Sequence, residues 1–367
     1  MNLAAVILAA GYSTRMNGFK PLMELGGASL LTHCARLFHL VGIDRVIVVS
    51  GHRHSEVATE AAKLGLTCIY NNDHDLGMYS SVCAAIPELT EIDGFFLLPV
   101  DIPLVRSSTV TTLMEAFRGN AVVYPCFEGL RGHPPLIPAE LIPLLAIHDG
   151  RSGLRSFLEK QQYREIPVWD RGILLDADTP EDFAALVQKF IRMAIGESAE
   201  ALALARLAMP KRGIAHGLAV AAVALRVGRA LNRCGGRLDE ELLYNAALLH
   251  DIGKGQPQHE ARGSEILRKL GLTDLAKIVA AHRDIPPLLS QGLTEKEVVC
   301  LADKLVRGEK SIPVVERFAE KLALFDGDAK ACRAIRARLE NALALQGLVE
   351  QAVGQRIENI LTPEDPS

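Results

Sequence analysis

Leu3-Ala4-Ala5-Val6-Ile7-Leu8-Ala9-Ala10 runs directly into Gly11-Tyr12-Ser13-Thr14-Arg15-Met16-Asn17-Gly18-Phe19-Lys20. The apolar run is far shorter than the roughly 20 residues a membrane span needs, and a glycine ends it. It reads as a buried strand over Ala4 to Ala9 that delivers the chain into a loop. Glycines there let backbone N–H groups approach phosphate oxygens, and Arg15 and Lys20 supply charge-assisted hydrogen bonds. The spacing G-x-x-x-x-G-K-[ST] is absent, so this is not a Walker A loop.

Beyond this loop, runs at Arg45 to Ser50, Thr67 to Tyr70, Gly94 to Pro99, Ala121 to Pro125 and Glu165 to Val168 alternate with helical patterns up to about residue 190. That alternation predicts an α/β, Rossmann-like domain over 1–190, a mostly parallel sheet covered by helices on both faces. Beyond it Ala, Leu, Glu and Arg dominate at helical spacing, as in Leu218 to Leu231 and Glu241 to Leu249, which predicts an all-α second domain. A linker helix is expected over 191–209, ending near Met209-Pro210 because proline disfavours helical geometry in the residue before it. The helical domain then covers 210–350, and a C-terminal tail covers 351–367, frayed after Leu361.

The chain has 367 residues, enough for about two domains at roughly 100 to 200 residues each. Its 40 Lys+Arg against 44 Asp+Glu leave a net charge of −4 without a basic block, which argues against a nucleic-acid binder. With 49% hydrophobic and 23% charged residues, both halves should fold. No apolar run suggests a membrane span, and the N-terminus lacks the basic region of a secretory signal, so a cytoplasmic location is expected. Cysteines 34, 68, 83, 126, 234, 300 and 332 form no C-x-x-C pair and are expected to be reduced and mostly packed in the core.

Leu8-Ala9-Ala10-Gly11, Ser13, Arg15, Met16, Lys20 and Leu22 resemble the L-A-A-G-x-S-x-R-M-G-x-x-K-x-L signature of nucleotidyltransferases that attach a nucleoside monophosphate to molybdopterin cofactors. Further pieces follow in order: Asn72, Gly77-Met78, Ser80-Ser81, Pro99-Val100-Asp101-Ile102-Pro103, Arg131-Gly132-His133-Pro134, and Asp176-Ala177-Asp178-Thr179-Pro180-Glu181-Asp182. The resemblance covers about residues 1 to 190, and Gly-Met-x-Ser-Ser with Asp-x-Asp-Thr-Pro-Glu-Asp is most similar to the molybdenum cofactor cytidylyltransferase branch. Asn17 replaces a signature glycine, and Asp149 to Arg155 is looser than the family's G-D-x-G-A-R.

Nucleotidyl transfer needs negative charge stabilised along the line of displacement at the α-phosphate. Asp101, at the C-terminal end of an apolar strand where open α/β sheets bind ligands, is the first-choice Mg²⁺ ligand. By resemblance, Asp176 or Asp178 is the second. Arg15 would bind the β- and γ-phosphates and Lys20 would neutralise charge at the α-phosphate. Leu8, Ala9, Ala10, Gly11, Ser13, Asn72, Gly77, Ser80 and Ser81 complete the implied nucleotide site. Each piece also has a plainer reading. Asp101 alone suits a turn or N-cap, Asp178 to Asp182 suits a helix start, and His133 reads as loop-shaping more than catalytic.

All four histidines beyond residue 190 fall in one ordered set, His216, His250-Asp251, His259 and His282, followed by Asp303. Helices can converge such imidazoles and carboxylates on one or two ions. The pattern resembles an HD-domain phosphohydrolase over about residues 210 to 310. His216, His250, Asp251 and Asp303 match its four ligands, and His259 and His282 match the extra histidines of two-metal subfamilies. Mixed His and carboxylate ligation suits Fe, Mn or Zn, and such a metal lowers the pKa of bound water. Asp251 and Lys254 are the catalytic candidates. Lys254 either shares a helical side with His250 or, if Gly253 and Gly255 end the helix, lies in a loop.

Together these resemblances imply a bifunctional enzyme. One half would transfer CMP, or less favourably GMP, from the NTP to a molybdopterin cofactor, and the other would hydrolyse a phosphorylated small molecule. Alternatives are transfer to a sugar phosphate or other phosphorylated alcohol, and a helical domain that senses a metal or nucleotide or docks a molybdoenzyme or its chaperone.

Overall fold

A computed structural model describes residues 1–16, 18–148, 150, 153–285 and 292–362. Asn17, Asp149, Arg151 and Ser152, which carry two of the departures noted above, and the segment after Thr362 lie outside the described residues. The chain divides into two compact units, Met1–Ile191 and Arg192–Ser367.

The first unit runs β1 (Leu3–Ala9), β2 (Glu24–Leu25), β3 (Ala28–Ser29), α1 (Leu30–His39), β4 (Arg45–Ser50), α2 (His54–Lys63), β5 (Thr67–Tyr70) and α3 (Met78–Ala85). It continues with β6 (Gly94–Pro99), α4 (Ser107–Ala116), β7 (Val122–Phe127), β8 (Leu130–Arg131), β9 (Leu136–Pro138), α5 (Ile142–Ile147), α6 (Gly153–Glu159), β10 (Tyr163–Pro167) and α7 (Pro180–Ile191). The main sheet has the order β10-β7-β9-β6-β1-β4-β5, with β8 paired to β7. β1 is buried along its whole length and lies parallel to both β4 and β6, which explains its unbroken apolar sequence. Val6, Leu8, Ile47, Val49, Phe95 and Leu97 pack with Tyr79 and Val82 of α3 to form a core on one face.

All six expected strands match in place within two residues at each end, the largest offsets being β7, which reaches Phe127, and β10, which begins at Tyr163. β9 was not foreseen. It pairs antiparallel with β6 and β7, yet spans only Leu136 to Pro138 after two prolines, too short to show a period. Strand order reverses at β1: the chain moves outward through β4 and β5, then returns as β6 on the other side. The register Leu8↔Pro99 and the hydrogen bond from Val100 N to Leu8 O (3.0 Å) bring the loops after β1 and β6 to one mouth.

The second unit contains α8 (Ser198–Ala208), α9 (Lys211–Arg233), α10 (Glu240–Leu249), α11 (His259–Lys269), α12 (Thr273–Val279) and α13 (Glu295–Lys304). The hairpin β11 (Val306–Arg307) and β12 (Lys310–Ser311) follows, then α14 (Val314–Leu324), α15 (Ala329–Val353) and α16 (Ile357–Leu361). The stretch read as a linker is built into this unit. Arg192 pairs with Asp239 at 2.8 Å and Glu241 at 2.7 Å, and Asn245 donates to Gly196 O at 2.9 Å. Residues 351–362, read as tail, finish α15 and form α16, whose Ile357 is buried and whose Leu361 O accepts from Arg226. Short apolar spacing in that segment hid the anchor. Cys34, Cys126 and Cys300 are buried, whereas Cys234 is exposed and the other three are intermediate, so core packing holds for fewer cysteines than expected.

α9 is, among the described residues, the one helix long and apolar enough to cross a membrane, and half of that apolar window is buried within the unit. It packs against α10 and α13. A Cβ on Gly217 would lie 2.3 Å from Leu248 O, so this glycine sets the approach of α9 to the end of α10. Alanine normally stabilises a helix interior relative to glycine; here Gly217→Ala should instead cost about 1–3 kcal/mol through overpacking, read as a lower urea midpoint. An unchanged or raised midpoint would refute that tight contact.

Candidate functional site

The loop after β1 closes on Ser13, which adopts φ 58°; its carbonyl accepts from Met16 N (3.0 Å) and its Oγ from Lys20 N (3.0 Å). This bend turns Lys20 inward. Its Nζ donates to Asp101 Oδ2 at 3.0 Å and to Asp178 Oδ1 at 2.7 Å. Arg15, largely exposed, donates to Asp178 Oδ2 at 2.8 Å. Ala177 N donates to Asp101 O at 2.9 Å and ties the two acidic segments together. Burial alone would lower the Lys20 pKa, but hydrogen bonds and charges from Asp178 and Asp101 raise it. Lys20 and then Arg15 hold Asp178 below the ordinary carboxylate range, after burial's opposing effect is counted. Asp176 moves the other way: burial, then Asp178, Asp101 and Asp182, raise it.

Asp178 and the helix start are separable. Thr179 and Asp182 exchange hydrogen bonds, Thr179 N to Asp182 Oδ2 (2.9 Å) and Asp182 N to Thr179 Oγ1 (3.2 Å), and Pro180 opens α7. Thr179 and Asp182 therefore cap the helix, leaving Asp178 to face the cations.

A cleft of about 230 Å³ opens here, lined by Leu8, Ala9, Ala10, Gly11, Ser13, Lys20, Gly77, Ser81 and Asp101 from the expected set. Met78, Pro99 and Val100 from the same motif pieces also line it, as do Pro21 and His74, which carried no motif signal of their own. Asn72 is exposed and is not among the lining residues; the buried Asn71 beside it donates to Ser80 Oγ (2.8 Å) and Ser81 Oγ (3.0 Å). Adjacent residues leaving a strand point opposite ways, so only one asparagine could turn inward. Ser80 spends its hydroxyl on Asp73 O and Gly77 O, both at 2.8 Å, and braces the loop. Gly77 precedes α3 without a side-chain cap, which leaves that helix's N-terminus at the cleft free of a competing side-chain oxygen. His133 N donates to Ile173 O (3.0 Å), and burial lowers its imidazole pKa against the opposing pull of Asp101. A second hollow of about 380 Å³ shares Met78 and is lined by Tyr124, Arg131, His133 and Arg155.

In the second unit, His216 from α9, His250 and Asp251 after α10, His259 opening α11, and His282 after α12 draw together. Ring centroids are 5.2 Å apart for His216 and His250, 5.1 Å for His250 and His282, and 5.4 Å for His259 and His282. Asp251 lies centrally: Oδ2 is 3.6 Å from His250 Nε2, while Oδ1 is 3.7 Å from His259 Nε2 and 3.9 Å from His282 Nε2. Two ligand groups result, His216-His250-Asp251 and Asp251-His259-His282, each with its ligand atoms within 4.8 Å. Asp303 Oδ1 lies 3.4 Å from His216 Nε2 and 3.7 Å from His250 Nε2.

Backbone carbonyls fix the imidazoles. Nδ1 of His216, His250 and His282 lies 2.8, 2.7 and 2.6 Å from the carbonyl oxygens of Gly308, Ala247 and Val279. A carbonyl can only accept, so each Nδ1 carries the proton and each Nε2 presents a lone pair inward. His259 Nδ1 faces Glu260 Oε2 at 3.1 Å. His250 Nε2 is buried without a hydrogen-bond partner, and mixed nitrogen and carboxylate donors around such an atom fit a divalent transition ion. α10 ends at Leu249, so Lys254 lies in the following turn, its N donating to Asp251 O (2.8 Å) and its Nζ to Asp251 Oδ2. Lys304 Nζ (2.9 Å) and Arg317 Nη2 (3.1 Å) pair with Asp303, partners that sequence spacing did not indicate. Burial would raise Asp303; Lys304, His216, His250 and Arg317 hold it well below the usual range.

Burial, then the nearby His250, pushes His282 down to about 4, whereas an unfolded imidazole titrates near about 6.5. Below that value the unfolded chain takes up a proton that the folded chain refuses, so stability present above about pH 6.5 is lost as pH falls toward about 4. His250 shifts the same way through burial, and His216, raised by Asp303, opposes it. Metal-stripped protein should thus melt at progressively lower temperature across this window, with a shallower fall in His282→Asn. Parallel profiles for the two proteins would show that His282 is not the titrating group.

Residues 5–166 match the family described as MobA-like NTP transferase domain, and residues 213–308 match the HD domain. The chain is 26% identical over 186 residues to the molybdenum cofactor cytidylyltransferase of Escherichia coli K12, covering 50% of this chain and 95% of that protein. It is 30% identical over 194 residues to the bifunctional protein GlmU of Corynebacterium aurimucosum, covering 48% of this chain and 39% of that protein. The crystal structure of the Mycobacterium tuberculosis rv0371c homologue from Mycobacterium sp. strain JC1 aligns at TM-score 0.48 and 29% identity, covering 52% of this chain and 98% of that chain.

Proposed function

From a chain that carries a MobA-like NTP transferase domain and an HD domain, we propose a bifunctional enzyme. Its first unit transfers a nucleoside monophosphate, CMP in preference to GMP, from the NTP to a phosphate oxygen of a molybdopterin cofactor. Its second unit hydrolyses a phosphorylated small molecule. The observation that carries the first reading is the Lys20 ammonium held between Asp101 and Asp178 at the mouth formed by β1 and β6. Two carboxylates converging on one cation are an all-oxygen donor set suited to Mg²⁺, which would supply charge neutralisation on the phosphates. Asp101 and Asp178, with Asp176 beside them, would hold it.

With nucleotide bound, Lys20 would neutralise the α-phosphate and Arg15 the β- and γ-phosphates, while the N-terminus of α3 adds backbone donors. The acceptor oxygen forms a bond to the α-phosphorus, the α–β bridging bond breaks, and pyrophosphate leaves with the electron pair. The hollow with Tyr124, Arg131 and Arg155 suits the acceptor, since two guanidinium groups can bind its phosphate beside aromatic rings. For the second unit, the carrying observation is Asp251 set between two histidine pairs whose Nε2 atoms face it, and a divalent metal there would lend Lewis acidity to water and phosphate. Lys254 would bind a phosphate oxygen.

The test is pyrophosphate release with Mg²⁺ and each of CTP, GTP, ATP and UTP, with and without molybdopterin-type cofactor. Cofactor-dependent release with CTP is the expected result. A second reading, transfer to a sugar phosphate or other phosphorylated alcohol, is favoured by the 30% identity to the GlmU protein. Release with such an acceptor and none with the cofactor would replace the first reading. Bound metal without phosphatase turnover, together with a ligand-dependent change in transfer rate, would make the helical unit a sensor.

A further inference from the structure

Three cations beside the histidine cluster come from elements that follow the matched HD segment: Arg317 and Lys321 on α14, at i,i+4 spacing, and Arg338 on α15. Arg317 Nη2 reaches Asp303, but its Nη1 is buried with no hydrogen-bond partner. Lys321 Nζ lies 5.4 Å from the Phe318 ring centroid, and among the described residues no carboxylate pairs with Lys321 or Arg338. Burial first, then Arg317, Lys304 and Arg338 against the pull of Asp303, lowers the Lys321 pKa. The acids nearby are already engaged: Glu320 by Arg307, and Asp303 by Lys304 and Arg317. Clustered, partly desolvated cations repel one another, and a bound anion offsets that cost.

Their location indicates which anion. Lys254, Arg317 and Lys321 line two hollows at once. One, of about 250 Å³, also contains Asp251, His259 and His282. The other, of about 610 Å³, is walled by Pro210, Gly213, Gly308 and Leu324, with Arg212 and the Arg307–Glu320 pair also lining it, and has room for an organic group. A single phosphate against the histidine cluster would be met by Lys254 and any ion held there, leaving Lys321 and Arg338 without an anionic partner.

We propose that Arg317, Lys321 and Arg338 form a subsite for the inner phosphate of a diphosphate ligand. Its terminal phosphate lies against the histidine cluster and its organic part lies in the larger hollow. This rests on the metal-centre reading above. In hydrolysis, the water oxygen bonds to the terminal phosphorus and the bridging P–O bond breaks. The bridging oxygen leaves on the inner phosphate, and water's remaining proton balance is one proton on inorganic phosphate and one released to solvent.

The experiment uses the full chain with its metal content measured, titrated calorimetrically with methylenediphosphonate and with inorganic phosphate, as parent and as Lys321→Ala/Arg338→Ala. The first unit can also bind a diphosphonate, so the difference between the two proteins is the readout. The double variant should lose about tenfold or more in diphosphonate affinity, about 1.4 kcal/mol, and less than about twofold for phosphate, at unchanged metal content. Equal losses for both ligands, or none for either, would overturn the subsite. A parent protein that holds no metal would overturn the metal-centre reading instead, while the diphosphonate difference would still report on these cations.

Discussion

Asp101→Ala is expected to lower nucleotide-dependent pyrophosphate release by about a thousandfold, the scale on which loss of one preorganised charge stabiliser acts in a transfer reaction. Asp101 stands at the mouth formed by β1 and β6, and its carboxylate is one of two that grip the Lys20 ammonium. The fold should tolerate the change. Lys20 keeps Asp178 at 2.7 Å, so no buried cation is stranded, and the Asp101 carbonyl still accepts from Ala177 N. The unfolding free energy should therefore move by less than about 1 kcal/mol. Asp101→Asn, which keeps the shape and removes the charge, should be nearly as inactive. Near-normal turnover in either variant would mean that the divalent ion is held elsewhere and that Asp101 is a turn former.

Asp251→Ala should abolish phosphohydrolase turnover and weaken metal binding by more than about a hundredfold, beyond the loss that follows removal of an outer-shell partner. Its two oxygens face different histidines, Oδ2 toward His250 and Oδ1 toward His259 and His282, so one substitution removes the carboxylate common to both ligand groups. What remains is four imidazoles and Asp303. Its other partner, Lys254, is 64% exposed and can turn to water, so the unit should stay folded. Metal analysis and transferase rate measured on the same preparation separate the outcomes: metal and hydrolysis lost with transfer intact is the expected pattern. Full metal occupancy in the variant would show that Asp251 is not a ligand and would leave the ion to the histidines and Asp303.

Much of this molecule is written in local chemistry. An apolar run of strand length ending in Gly11 marks a buried strand and its loop, because a strand covered on both faces is apolar without a period and a glycine stops it before a helix's length is reached. Alternating strand and helix patterns, against a second half whose spacing is helical apart from the short β11–β12 hairpin, separate the two units by period. The histidine set was legible because all four histidines beyond residue 190 fall, with Asp251 and Asp303, in one order along the chain, and order survives folding. Other assignments were decided at longer range. Asn71 rather than Asn72 turns inward because of where β5 ends, Lys254 lies in a turn because α10 stops at Leu249, and β9 forms because β6 and β7 offer edges to a segment too short to announce itself. Arg317 and Lys321 are spaced as one face of a helix, a visible signal, but nothing local says that this face meets Asp303. Residue type and short-range spacing are enough to mark the longer strands and helices and the side chains that can carry phosphate or metal chemistry. Long-range packing sets Lys20 between Asp101 and Asp178, places Asp251 between two pairs of histidines, and closes cations beyond the HD segment over them. Such contacts join residues tens of positions apart, and strand order and helix packing, not spacing, bring them together.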